Sequence, residues 1–383
     1  MLSLAALAQA RAEIGAWPGY APTPLWNLSG LAAQAGLGAI RYKDEAGRFG
    51  LGSFKALGGA YAVLRLLQRV LAMQGVPAQG LAGAAELAAG TQRARTSGVT
   101  VTCATDGNHG RAVAWGARTF GCRSVVYLHE HVSAGREKAI AALGAEIRRT
   151  PGTYDDSVRQ AAADAKRQGW HVVSDTSYPG YADVPREVMQ GYGVLVAEAL
   201  DQLGAETLTH VFVQGGVGGL AAAVCATLWE RLGPRRPRLV VVEPERADCL
   251  FQSAVHGEPT PVKGALDTVM AGLACGEVSL AAWEVLAPGA DDFLAIPDEA
   301  ALDTMRLLAQ GTGGDAPLAG GESGVAGLAG LLSACADGTL RKKLALDPAS
   351  RVLAIGSEGA TDPELYARIV GRTPEQVLGR HSG

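Results

Sequence analysis

The stretch VTVTCATDGNHGRAVAWGARTFGCRSVVYLH (99–129) decides the fold class. VTVTCAT (99–105) is a short run of β-branched and apolar residues, as in a strand buried on both faces. Residues 108–120 change to helical spacing, with Val113, Ala114, Ala117 and Phe120 sharing one side. SVVYLH (124–129) then returns to strand character. Strand, covering helix and second buried strand in roughly 30 residues form a parallel βαβ unit.

The same alternation extends outward. A helix is predicted over 134–143, ending at Gly144, then a strand at 146–149, a helix at 154–168 and the strand WHVVSDT (170–176). It restarts with THVFVQ (209–214), a helix at 220–232, RLVVVEPE (238–245) and the late strand RVLAIG (351–356). The predicted fold is α/β, with two lobes of parallel-rich sheet covered by helices. YPGYADVPREVMQGYG (178–193) is rich in Gly and Pro and is expected to cross between the lobes. That gives a large domain of 1–95 with 189–383 and a small domain of 96–188. For 75–97, small-residue and weakly patterned, a surface helix pair and a mobile lid both stay open.

A chain of 383 residues suits two lobes. With 48% hydrophobic and 19% charged residues, a folded, soluble globule is expected. The net charge of −4 argues against a nucleic-acid or anionic-membrane partner. MLSLAALAQARAEIGAW (1–17) lacks a basic segment ahead of its apolar residues and reads as a helix, not a signal peptide. No uninterrupted apolar run reaches bilayer-spanning length. Cys103, Cys122, Cys225, Cys249, Cys275 and Cys335 show neither C-x-x-C nor zinc spacing, so no metal is expected and the cytoplasm is the expected compartment. HEH (129–131) is too closely spaced for a zinc-protease helix and falls at a strand end.

Three segments can carry chemistry. QGGVGG (214–219) joins a strand to a helix, where backbone N–H groups and the helix N-terminus can take a phosphate. A dinucleotide reading stays open at this point, because Glu243 ends the next strand where a ribose-binding acid is wanted; a plain tight turn is open too. GSFKALGG (52–59) sets Lys55 among Ser53, Gly58 and Gly59, which admit a planar ligand, and a lysine desolvated there becomes a nucleophile. Against this stands an ordinary surface lysine. TDGNHG (105–110) ends a strand and opens a helix, so Thr105, Asn108 and its N–H groups can hold a carboxylate or a ring edge. A capped turn and a structural His109 are the plain alternatives.

In this order the three segments resemble the fold type II pyridoxal-phosphate (PLP) enzymes, a group that includes threonine dehydratase, serine racemase, cysteine synthase and the tryptophan synthase β-chain. The resemblance runs from TPLWNL (23–28) to SEGATD (357–362). It implies that Lys55 holds PLP as a Schiff base. It also implies that Gly215, Gly216, Val217, Gly218 and Gly219 wrap the phosphate, that Asn108 meets the phenolic oxygen and that Ser357 faces the pyridine nitrogen. A neutral hydroxyl there favours β-elimination over chemistry needing a full electron sink.

Two departures sharpen the resemblance. Leu57 stands where dehydratases and racemases usually carry arginine, and Asp106 replaces the second serine of their Ser-Ser-Gly-Asn-His. A carboxylate there resembles the diaminopropionate ammonia-lyases, as do VVSDTSYPGY (172–181), MQGYG (189–193), VVEPERADCL (241–250), MAGLACGE (270–277) and GGESG (320–324). Those enzymes convert 2,3-diaminopropionate to pyruvate and two molecules of ammonia, often from both enantiomers. The resemblance implies that Lys55, Asp106 and Asp175 are catalytic and that Thr105, Asp106, Asn108, His109 and Asp175 meet the substrate. Glu322 is placed either near the cofactor edge or as an exposed helix-start acid. Cys249 and Cys275 are expected to approach each other closely enough to pair under oxidation. A small amino-acid substrate, no nucleic acid, no membrane and a homodimer complete the expectation. A threonine/serine dehydratase or racemase of the same fold, and a non-catalytic PLP-binding protein, are the alternatives.

Overall fold

Runs of Val, Ile and Ala flanked by glycine turns form strands that are buried on both faces, and parallel strands need helices between them. The computed structural model describes residues 2–76, 83–130 and 132–379. In chain order its strands are Leu25–Asn27 (β1), Ala39–Asp44 (β2), Thr100–Ala104 (β3), Arg123–His129 (β4), Glu146–Thr150 (β5), His171–Val172 (β6), His210–Gln214 (β7), Arg238–Pro244 (β8), Asp292–Ile296 (β9) and Arg351–Gly356 (β10). They form two sheets, β1-β2-β10-β7-β8-β9 and β5-β4-β3-β6. Only the β1–β2 pair is antiparallel among the described residues.

The chain separates into two compact units, 1–21 with 54–194 and 22–53 with 195–383. This division differs from the one expected from sequence in assigning 1–21, 54–95 and 189–194 to the four-stranded unit. The reason is a long-range contact. The helix Lys55–Met73 lies so close to the helix Asn108–Phe120 that a Cβ on Gly59 would stand 2.9 Å from Ala112 Cβ, and one on Gly116 2.8 Å from Ala60 Cα. Trp17 closes the same unit against Trp115 and Phe120, at centroid distances of 5.7 and 5.5 Å. Lys55–Met73 is long enough and on average apolar enough to cross a bilayer, though Arg65, Gln68 and Arg69 interrupt it, and 67% of its most apolar 18-residue window is buried inside the protein. It is a core helix.

The stretch 178–193, expected to cross between the lobes, leads to the boundary of the two units at 194/195, and most of it is helical. Tyr178 and Tyr181 bracket a tight turn, and a helix runs from Asp183 to Leu203. Pro185 sits in its first turn, where no N–H is needed. Gly191 is there for close approach, since its Cβ would meet Leu57 O at 1.9 Å. Of 75–97, residues 77–82 lie outside the described residues, and Ala84–Ala88 and Arg93–Thr96 are short helices.

The six-stranded unit packs Ile40, Tyr42, Phe212, Val240, Val242, Val352 and Ala354 in its core. Beside it lies a buried ion network. Lys43 Nζ donates to Glu198 Oε2 at 2.8 Å, Thr23 O at 2.8 Å and Gln202 Oε1 at 3.0 Å. Arg48 donates to both Glu45 and Glu198. Burial pushes the Lys43 ammonium down, and the Glu198 and Glu45 carboxylates pull it back up. Removing Glu198 leaves Glu45 as one carboxylate for two cations and takes the carboxylate partner from Lys43 in a dry interior. Glu198→Gln should therefore cost about 3–5 kcal/mol in urea denaturation; a loss below roughly 1 kcal/mol, typical of exposed pairs, would refute the buried network.

Candidate active site

The four-stranded unit gathers Lys55, Asp106, Asn108, His109 and Asp175. Lys55 opens the helix Lys55–Met73, and its Nζ donates to Asp175 Oδ2 at 2.6 Å. Phe54 and Tyr192 pack together at 4.5 Å between centroids, and Nζ stands 5.4 and 5.9 Å from their ring centres. The other lysines are either exposed or, like Lys43, locked in the buried network. Lys55 is half-buried beside the Asp175 carboxylate.

Asp175 follows β6 in a turn that Tyr181 braces. Its phenol oxygen accepts from Ser174 N–H and donates to Val172 O, both at 3.0 Å. Burial alone would raise the Asp175 carboxyl, but the Lys55 ammonium beside it holds it well below the usual carboxylate range. His109 lies behind it, 6% exposed, with Nε2 2.8 Å from Val173 O and Nδ1 3.7 Å from Asp175 Oδ2. A carbonyl only accepts, so Nε2 carries the hydrogen. Burial lowers the imidazole, against the upward pull of the Asp175 carboxylate and with a smaller push down from the Lys55 charge.

Thr105 turns inward at 4% exposure, its Oγ1 accepting from Gly107 N–H at 3.0 Å and Gly110 N–H at 3.1 Å. It shapes the loop that displays Asp106. The Asp106 side chain is 42% exposed, and its Oδ1 meets His129 Nε2 at 2.6 Å. Asn108 begins the following helix and is half-buried.

The six-stranded unit contributes the glycine loop after β7. Gly216 and Gly218 have φ of +66° and +98°, a region that favours glycine. A Cβ on Gly215 would stand 2.6 Å from Glu243 Cγ. The loop feeds the helix Gly219–Leu232, whose first-turn N–H groups suit an anion. Ser357 follows β10, the neighbour of β7, and its Oγ accepts from Gln214 Nε2; Gln214 Oε1 is buried without a protein partner. Backbone cradle, hydroxyl and orphaned amide oxygen all gather at the carboxyl ends of adjacent parallel strands, where α/β sheets bind ligands. They fit a phosphorylated pyridine.

Glu243 closes the dinucleotide reading. It is 1% exposed and accepts from Leu250 N–H at 3.2 Å and Phe251 N–H at 2.7 Å, and burial pushes it up to about 8. No ribose reaches it. Cys249 Sγ donates to Gly216 O at 3.5 Å, and both Cys249 and Cys275 are free thiols in this structure. Glu322 is 1% exposed, so it is not a surface acid. No group of His, Cys, Asp and Glu among the described residues could hold a metal; His131 of HEH lies outside them. Tyr181, Tyr192, Gln214 and His129 escaped the sequence reading. His129 alone left a signal, closing a strand beside the one that leads into TDGNHG.

A family model described as "Pyridoxal-phosphate dependent enzyme" matches residues 16–358. The diaminopropionate ammonia-lyase of Escherichia coli K12 is 40% identical over 92% of this chain and 88% of its own length. That of Salmonella typhimurium LT2 is 42% identical over 92% and 89%. The crystal structure of the E. coli enzyme in complex with an aminoacrylate–PLP azomethine reaction intermediate superposes with a TM-score of 0.87 at 38% identity, covering 96% of this chain and 92% of that one. The processed form of threonine deaminase isoform 2 from Solanum lycopersicum, at 20% identity and TM-score 0.72 over 96% of this chain and 94% of that one, shares the fold. The chain belongs to the pyridoxal-phosphate-dependent enzymes and, within them, to the diaminopropionate ammonia-lyases.

Proposed function

We propose that the protein converts 2,3-diaminopropionate and water to pyruvate and two molecules of ammonia, accepting both D- and L-substrate. The observation that carries the reading is the Lys55–Asp175 pair at 2.6 Å, with the second, exposed carboxylate of Asp106 in the same unit. Lys55 would attach PLP covalently, Gly215, Gly216, Val217, Gly218 and Gly219 would hold its phosphate by backbone N–H, Asn108 would meet its phenolic oxygen and Ser357 its ring nitrogen. When bound, PLP supplies the electron sink that acidifies the substrate Cα–H.

The residues of the chain do the rest. Asp175, ionised under its lysine, and Asp106, on its exposed loop, are the carboxylates that take the α-proton, with Lys55 able to carry protons on its own side. A carboxylate near the substrate also selects a cationic β-ammonium over the neutral β-hydroxyl of serine or threonine. Thr105 shapes the Asp106 loop and His109 backs Asp175, so both act on substrate through their neighbours. The free thiols fit a cytoplasmic setting, and a homodimer fits the family; sedimentation of the holoenzyme tests the dimer.

A dehydratase acting on hydroxy amino acids is the second reading, favoured by the E. coli relative having been crystallised in complex with D-serine. Pyruvate release measured from D- and L-diaminopropionate, serine and threonine separates them. Both enantiomers of diaminopropionate should exceed serine in kcat/KM by about 10-fold or more, the scale of one well-placed charge contact. A higher value on serine or threonine overturns the ammonia-lyase reading, and no turnover at all leaves a PLP-binding protein.

A further inference from the structure

We propose that His129 is the positioning residue for Asp106, holding its carboxylate in the direction from which it takes the α-proton of one substrate enantiomer. The inference rests on the reading of Asp106 as a base, and deepens it.

The sheet builds this pair from residues 23 apart in sequence. β3 and β4 are parallel neighbours, with Ala104 opposite Tyr127, and Thr105 N–H donates to Tyr127 O at 3.2 Å. The loop leaving β3 and the last residue of β4 therefore reach the same edge together. There His129 Nε2 lies 2.6 Å from Asp106 Oδ1. The two side chains differ in exposure, 15% for His129 and 42% for Asp106. The imidazole is sheltered and the carboxylate is displayed. A carboxylate on an exposed loop would otherwise turn about its side-chain torsions, and each wrong orientation is unproductive.

His129 removes that freedom from one end. An ionised carboxylate only accepts, so Nε2–H donates, and the bond occupies Oδ1. Oδ2 is left to receive the proton. The other end of the residue is held as well, because Arg136 Nη1 donates to Asp106 O at 3.3 Å and the Arg136 side chain packs on Gly107. Arg149 Nη1 reaches His129 O at 3.4 Å and ties down the strand end. In the step itself the α-proton moves from substrate Cα to Asp106 Oδ2, the electron pair of the C–H bond stays with the substrate, and His129 keeps its own proton. His129 touches neither substrate nor cofactor in this role.

Two amide substitutions test the geometry. Glutamine can set an N–H near the position of Nε2, whereas asparagine is one bond too short. The holoenzymes of His129→Asn, His129→Gln and Asp106→Asn are assayed with each enantiomer of diaminopropionate separately. His129→Asn should lower kcat by about 10- to 100-fold on the enantiomer that Asp106→Asn impairs, with KM and the other enantiomer changed by no more than about 2-fold. His129→Gln should recover most of the loss. Equal losses on both enantiomers, or no difference between Asn and Gln, would show a merely structural histidine and overturn the proposal. If Asp106→Asn impairs one enantiomer while His129→Asn does not, the proposal fails and the base survives. If Asp106→Asn impairs neither, the base fails and the proposal falls with it.

Discussion

Lys55→Ala folds, carries no covalently linked cofactor and loses more than about 10³-fold in turnover, the scale of removing a reaction's nucleophile. Borohydride reduction of the wild type, followed by peptide mapping, should place the cofactor on Lys55 alone. Lys43 is the only other shielded lysine, and its ammonium already has three acceptors in a dry network. A label on Lys43 or on an exposed lysine would overturn the assignment. The substitution has a second signature in stability. With Lys55 gone, burial raises the Asp175 carboxyl unopposed by its main counter-charge. A carboxyl depressed in the folded state adds stability that is present above its unfolded pKa, near 4, and is lost as pH falls through the lower folded value. The stability gap between wild type and Lys55→Ala should accordingly be full at neutral pH and shrink in acid. A gap that widens in acid would mean that the pair does not hold Asp175 ionised.

The fold was legible because both sheets obey a local rule. β3, β4, β7, β8 and β10 are short β-branched runs between glycine turns, and each lies within a residue or two of its expected range. Contacts between residues distant in sequence were not legible. Nothing near 55–73 announces that this helix packs on Asn108–Phe120, because the signal is a pair of small residues on each helix. The stretch 178–193 was expected as the crossing between lobes, and the boundary between the units follows it at 194/195; that Gly191 serves a close approach to Leu57 O was not legible, for the same reason. In the site, Lys55 and the glycine loop were legible because each needs its own neighbours in sequence. Asp106 and Asp175 came from resemblance, since a lone aspartate in a turn has no signature of its own. Tyr181 left no signal, and His129 showed only as the end of a strand, because its pairing with Asp106 depends on a register that only the folded sheet sets. Glu243 shows the limit from the other side. Its position after the loop suits a ribose-binding acid, and only its burial and two backbone donors exclude that.

The two aspartates should separate in mutation, because their surroundings differ. Asp106 is displayed on a loop at 42% side-chain exposure and bonded to His129, whereas Asp175 is 14% exposed and bonded to Lys55 Nζ. Asp106→Asn should therefore keep the cofactor and its absorption and lose about 10²–10⁴-fold on one enantiomer of diaminopropionate, the usual worth of a general base. The α-hydrogens of D- and L-substrate point to opposite sides once the amine and carboxylate are fixed, so one base cannot serve both equally. Asp175→Asn should show a different enantiomer bias and, unlike Asp106→Asn, should also shift the cofactor band, because it removes the counter-charge of the attachment lysine. The measurements are kcat and kcat/KM for each enantiomer, with a spectrum of each holoenzyme. If Asp106→Asn leaves both enantiomers at wild-type rates, Asp106 is a loop residue and the ammonia-lyase chemistry runs through Asp175 and Lys55 alone. If Asp175→Asn leaves both the spectrum and the rates unchanged, the 2.6 Å pair has no part in the reaction, and the observation that carries the functional reading is lost.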